Sequence, residues 1–148
     1  MRSLLALAKR AKAIVTPKGA WTKHTRERSY AHCALGAIEK ALGLAPETAE
    51  LDERGAGLIK AMARELGVRE HPFGGYVSNL CYITRCAAVI MKFNDARTTT
   101  QRDVLGLFQR VIDRLEGEAE HRRWRRQMRQ LLKGATATAM QSSEKVAA

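Results

Sequence analysis

The sequence predicts an all-α protein: a compact bundle of about five helices carrying a basic amphipathic helix near its C-terminus. Three observations predict it. Aromatic residues make up only 5% of the 148 residues while apolar residues reach 45%. Ala and Leu dominate that apolar set, and they favour helix where strands draw on β-branched and aromatic side chains. Finally, apolar positions recur at helical spacing in several stretches separated by caps, prolines and glycines. The length suits one domain. The expected division is a helical core over 1–116, a basic helix over 117–134 and a flexible tail over 135–148.

In the first helix Leu4, Leu7, Ala8, Ala11, Ile14 and Val15 form the apolar stripe, and Ser3 can cap its start. "TPKG" ends it, since Pro17 removes a backbone donor and Gly19 permits a turn. "WTKHTRERSY" reads as a polar, basic connector. "AHCALGAIEKALGL" reads as the second helix, with Cys33, Ala37, Ile38, Ala41 and Leu42 on one side and Gly43 as its stop. Gly36 inside it suggests close approach of a neighbouring element.

The third helix is expected from Pro46, with acids crowding its first turns, to Gly67. "VREHPFGGYV" reads as a loop around Pro72 and Gly74–Gly75. "FGGY" lacks the setting and the following Lys-Ser/Thr of a phosphate loop. A fourth helix follows, with Leu80, Ile83, Ala87 and Ile90 aligned. In "TTTQRDVLGLFQRVIDRLEG", Thr100 and Asp103 form a capping-box-like pair. Val104, Phe108, Val111, Ile112 and Leu115 are its expected buried face.

"HRRWRRQMRQLLK", residues 121–133, holds five arginines and a lysine. On an ideal helix at about 100° per residue, Met128, Leu131 and Leu132 lie within about 80° of Trp124. Arg122, Arg123, Arg125, Arg126, Arg129 and Lys133 cover the other half. This apolar face is about 180° out of phase with that of 104–115. A break near Gly117 or a projecting arm is therefore expected.

The net charge is +11, concentrated at the ends: residues 1–28 carry eight Lys/Arg and one acid, and residues 119–148 seven and two. Such excess points to an anionic partner. The leading expectation is a non-enzymatic binding protein that contacts nucleic-acid phosphates with low sequence specificity. Arg122, Arg123, Arg125, Arg126, Arg129 and Lys133 would make the contacts, with Lys9, Arg10, Lys12, Lys23, Arg26 and Arg28. Alternatives stay open. The helix can fold back with its cations in water, or dock on a protein, including an acidic surface, through Trp124, Met128 and Leu131. Its short apolar face counts against a membrane-surface helix.

Cys33, Cys81 and Cys86 are odd in number, and no clean signal peptide precedes them, so a cytoplasmic protein with reduced thiols is expected. No membrane span is expected. Cys33 near a helix start, with His32, Asn94 and Asp95, allows a thiol enzyme as a third reading. Burial is the commoner fate of a free cysteine, and no helper motif supports catalysis. Cys81 and Cys86 stand about 140° apart on a helix, a poor chelating geometry. No metal and no cofactor are expected. Asn94–Asp95 read as a turn between helices, and Trp21 as a lid over the core.

"GAWTK", "CALGAI" and "FNDARTTTQRDVLGLFQRVI", in that order, resemble a small family of uncharacterised bacterial and phage proteins. The likeness spans roughly residues 4–115 as spaced matches. It implies a phage or mobile-element association and supplies no activity. The arginine-rich stretch lies outside it.

Overall fold

A computed structural model describes residues 3–28, 31–69 and 76–146. The expected loop at Pro72 and Gly74–Gly75 lies outside the described residues, as does the Leu80 side chain. The fold is all-α. Among the described residues five helices carry it: α1 (Leu4–Val15), α2 (Ala34–Leu42), α3 (Glu53–Glu65), α4 (Tyr76–Asp95) and α5 (Gln101–Val146). Two strands of two residues each, β1 (Glu27–Arg28) and β2 (Ala31–His32), form the sheet among the described residues. The chain divides into two compact units, 1–113 and 114–148.

Local chemistry starts and stops the helices. Ser3 Oγ accepts from Ala6 N at 3.2 Å and caps α1. Gly43 ends α2 in the left-handed conformation, φ 76°, where a side chain would be strained. Thr100 and Asp103 close the expected box at the start of α5: Thr100 N and Oγ1 donate to Asp103 Oδ2 at 2.8 and 2.6 Å.

In the first unit α1 packs on α2 and α3, α2 on α3 and α4, and α3 on α4. Leu35, Ile38, Leu58, Ile59, Met62 and Ile90 are fully buried there. The first turns of α5 add Val104, Phe108, Val111 and Ile112, as expected from their spacing, and also Leu107. Each such side chain contributes about 1.5–3 kcal/mol by leaving water. Gln101 Nε2 donates to Val15 O and Pro17 O at 2.6 and 2.8 Å. These bonds tie the start of α5 to the end of α1.

Several boundaries differ from the sequence reading. Ala31 and His32 are strand, not helix: His32 pairs with Glu27 and bridges Trp21. The second helix starts later because Cys33 is its extended N-cap, its sulfur accepting from Gly36 N at 3.3 Å. The third helix starts at Glu53, not Pro46. Asp52 sets that start by accepting from Arg54 N and Gly55 N at 2.9 and 3.0 Å. A Cβ on Gly55 would strike the Ala49 carbonyl oxygen, so the 45–52 turns fold tightly against the first turn of α3. Finally, α5 runs helical through Gly117 and residues 135–146 to Val146. Nothing crowds Gly117, and its cost of about 1 kcal/mol relative to Ala does not break a helix flanked by strong formers.

Candidate functional site

Two sites emerge, one in each unit. The first is built around Asn94, which is 1% exposed. Its Oδ1 accepts from Trp21 Nε1 at 2.8 Å and from Ala34 N at 3.2 Å. Its Nδ2 donates to Thr22 O at 3.1 Å and to Asp95 Oδ1 at 2.9 Å. A primary amide offers two donors and one two-lone-pair acceptor, so Asn94 is satisfied to its full capacity. This corrects the local-turn reading of Asn94–Asp95. Three of the four partners lie 60 to 73 residues away, and the amide joins the Trp21–Thr22 segment, the start of α2 and the end of α4. The three spaced motifs of the sequence converge on one side chain.

Asp95 extends the hub. Its Oδ1 also accepts from His24 N at 2.8 Å, and its Oδ2 lies 3.6 Å from His24 Nδ1. Burial alone would raise its carboxyl pKa. The bonds from His24 N and Asn94, with the charges of His24 and Lys23, outweigh burial and hold it below the ordinary aspartate value. His24 itself holds φ 60°, uncommon for a residue with a side chain. Lys23 donates to Ala96 O at 2.7 Å and sits 5.3 Å from the Trp21 ring centroid. Trp21 is thus half-buried and fixed at its indole nitrogen, more a strut than a lid.

Arg26 holds a second buried polar group. It donates to Glu39 at 3.2 Å and to Glu50 at 2.7 Å, and Glu39 is 3% exposed. Burial pushes the Glu39 carboxyl up despite Arg26. Burial opposes the Arg26 charge, but Glu50 and Glu39 more than compensate and raise its pKa. The Arg26 carbonyl oxygen occupies the place of a Cβ on Gly36, the close approach that Gly36 suggests.

Cys33 sits between these groups, 5% exposed. Burial raises its thiol pKa against the lowering effect of the Gly36 and Leu35 amides and Arg26. A protonated, buried sulfur that caps a helix is a poor nucleophile. His32 is buried in β2, where its backbone pairs with Glu27. Cys81 is exposed on α4 and Cys86 buried. Among the described residues no group of three His, Cys, Asp or Glu side chains is arranged to hold a metal ion.

The second site is the basic stretch of α5. Residues 120–133 are all exposed. Arg122 lies 3.6 Å from Glu118, one turn earlier. Arg123, Arg125, Arg126 and Arg129 have no acidic partner among the described residues. On the other face Trp124 is 55% exposed, Met128 38%, Leu131 67% and Leu132 62%. The Trp124 and His121 rings stack, their centroids 6.0 Å apart. The basic residues expected to join them from near the N-terminus divide. Lys12 donates to Gln109, Lys23 and Arg26 are engaged as above, Lys9 is exposed but has an interaction within the chain, and Arg10 and Arg28 are exposed.

His24, Glu39 and Leu107 are among the residues that the sequence does not single out. The Leu107 spacing to Val104 and Val111 carries a helical signal. His24 and Glu39 carry none, because their partners lie in distant segments.

The class is therefore an all-α domain closed by a buried asparagine, continued by a helix of exposed arginines. The chain belongs to the family of unknown function DUF6197, whose model matches residues 1–114. The Asn94 hub lies inside that match and the arginines beyond it. Among curated proteins and among solved structures, none matches the chain. Among the described residues no helix is long and apolar enough to cross a membrane.

Proposed function

We propose that the protein is a non-enzymatic binding protein that contacts nucleic acid through the basic face of α5. One observation carries this reading: Arg123, Arg125, Arg126 and Arg129 are exposed on successive turns without acidic partners among the described residues. Arginines so placed meet phosphates without first breaking ion pairs, and each neutralised phosphate releases counterions. The contacts are largely sequence-independent, since a helix that meets phosphates alone reads no base edges. Lys9, Arg10 and Arg28, also exposed, are further phosphate contacts in this reading. A phage or mobile-element setting and a cytoplasmic location fit a cationic binding protein of this kind and belong to the same proposal.

The test is fluorescence anisotropy with a mixed-sequence DNA duplex and its RNA counterpart across a salt series. Binding should be strong at low salt and fall steeply as salt rises. Substituting Arg122, Arg125 and Arg126 with Ala should flatten the slope on duplex DNA by about 0.9 for each phosphate left unneutralised. Absence of binding to either nucleic acid at low salt would end the proposal.

A second reading rests on the exposure of Trp124, Met128 and Leu131. In it α5 docks on a protein, with Trp124 as the anchor. Trp124→Ala would then weaken binding more than loss of any one arginine, and added salt would weaken it little.

A further inference from the structure

The first unit contains a cavity of about 390 Å³ beside the Asn94 hub, within the size range of small-ligand sites. Its floor is set by the buried Cys33, Leu35 and Ile90, and its rim by Glu47, Met91 and Asp95. Three features define what it can take.

The lining carries two carboxylates, Asp95 and Glu47, together with the exposed His24, although the chain as a whole is strongly basic. Asp95 stays ionised because His24 N and Asn94 donate to it. Its Oδ2 has only the 3.6 Å approach of His24 Nδ1, so it retains capacity to accept. Glu47, exposed, also lines the cavity. The guanidinium of Arg26, also at the lining, is already matched by Glu39 and Glu50.

The floor holds an unused donor. Cys33 Sγ accepts from Gly36 N, and burial keeps the thiol protonated. Its own S–H finds no acceptor among the described residues, with the residue 5% exposed. Between rim and floor, Leu35, Ile90 and Met91 offer apolar surface.

The backbone is also held in uncommon form here. His24 and Glu47 are the two residues other than glycine with positive φ among the described residues, at 60° and 65°. Both line this cavity. Such conformations cost of order 1–3 kcal/mol each and cluster at ligand sites.

We infer that this cavity binds a small organic cation: a primary ammonium on a short aliphatic stem that ends in an oxygen acceptor. The ammonium meets Asp95 and Glu47, the stem lies on Leu35, Ile90 and Met91, and the oxygen accepts from the Cys33 thiol. The site is independent of the arginines of α5.

The experiment is calorimetric titration of the full chain with aminopentanol, alongside pentanediol, which lacks the cation, and pentylamine, which lacks the acceptor. Aminopentanol should bind saturably at one site, and pentanediol should not. Pentylamine should bind a few-fold more weakly, as a thiol is a weak donor. Asp95→Asn should weaken aminopentanol about tenfold, the worth of one charge-assisted hydrogen bond. Asparagine keeps the oxygen that accepts from His24 N and Asn94, so circular dichroism should show the fold intact. Glu47→Gln, at an exposed position, should weaken binding about threefold. No saturable binding of aminopentanol, equal binding of pentanediol, or unchanged affinity in both variants would overturn the inference.

Discussion

Two clusters of positive charge look alike in the sequence and differ in the structure. In the first unit Lys12, Lys23 and Arg26 each have a protein partner: Gln109, the Ala96 carbonyl, and the Glu39–Glu50 pair. In the second, Arg123, Arg125, Arg126 and Arg129 have none among the described residues. The first set commits its charge to the fold, and the second leaves it available to an anion. Net charge alone does not distinguish these fates, because the deciding partners are distant in sequence.

Substitutions sharpen the contrast in order of expected size. Asn94→Ala should cost the most, about 3–5 kcal/mol in urea denaturation. It orphans the Trp21 indole, the Ala34 amide and the Thr22 carbonyl together, and members of one network are not additive. Arg26→Ala should cost about 2–4 kcal/mol, because it strands the buried Glu39 carboxylate. Asp52→Ala removes the cap of α3 and should cost about 1 kcal/mol. Arg126→Ala should change stability by less than about 0.5 kcal/mol, as at exposed sites without partners. If Arg26 and Arg126 proved equally tolerant, the contrast would be lost.

Acid sharpens it further. Asp95 and Asp52 both titrate below the ordinary aspartate value in the folded chain. Their stabilising contribution is therefore complete above the unfolded pKa of about 3.9 and is lost as pH falls through the lower folded values. Glu39 runs the other way. Its raised folded pKa means stability declines as pH rises from the unfolded glutamate pKa through the folded value. Asp95→Asn should flatten the acid limb of a stability–pH profile, and Glu39→Gln should flatten the rise-linked decline above it.

What is legible in the sequence is local. Ser3 and the Thr100–Asp103 pair act within one turn, and the apolar spacing of 104–112 names its own buried face. Gly36 announces a close neighbour without saying which. Asn94 shows the limit. An Asn-Asp pair after a helix has an ordinary turn explanation, and the competing partners, Trp21 and Ala34, lie 73 and 60 residues away. His24 is hidden for the same reason, in a connector whose conformation depends on Asp95. The acids of 47–53 suit a helix dipole and so point to an early start for α3, yet Asp52 does the capping. The phase shift across Gly117 marks a real conflict between two apolar faces. Its resolution is one unbroken helix with both stripes on it: Val104 and Phe108 fully buried, Trp124 and Leu131 exposed.

The central claim is that Arg123, Arg125, Arg126 and Arg129 of α5 are available to an anion where Lys12 and Lys23 are not, and a paired salt titration tests it most directly. Affinity for one DNA duplex is measured against salt for the parent chain and two variants. One carries Arg123, Arg125, Arg126 and Arg129 as Ala, which preserves helix propensity; the other carries Lys12 and Lys23 as Ala. The account predicts a slope flatter by about 0.9 for each arginine that meets a phosphate, and a parental slope for the lysine variant. A parental slope for the arginine variant, or equal flattening in both, would contradict it.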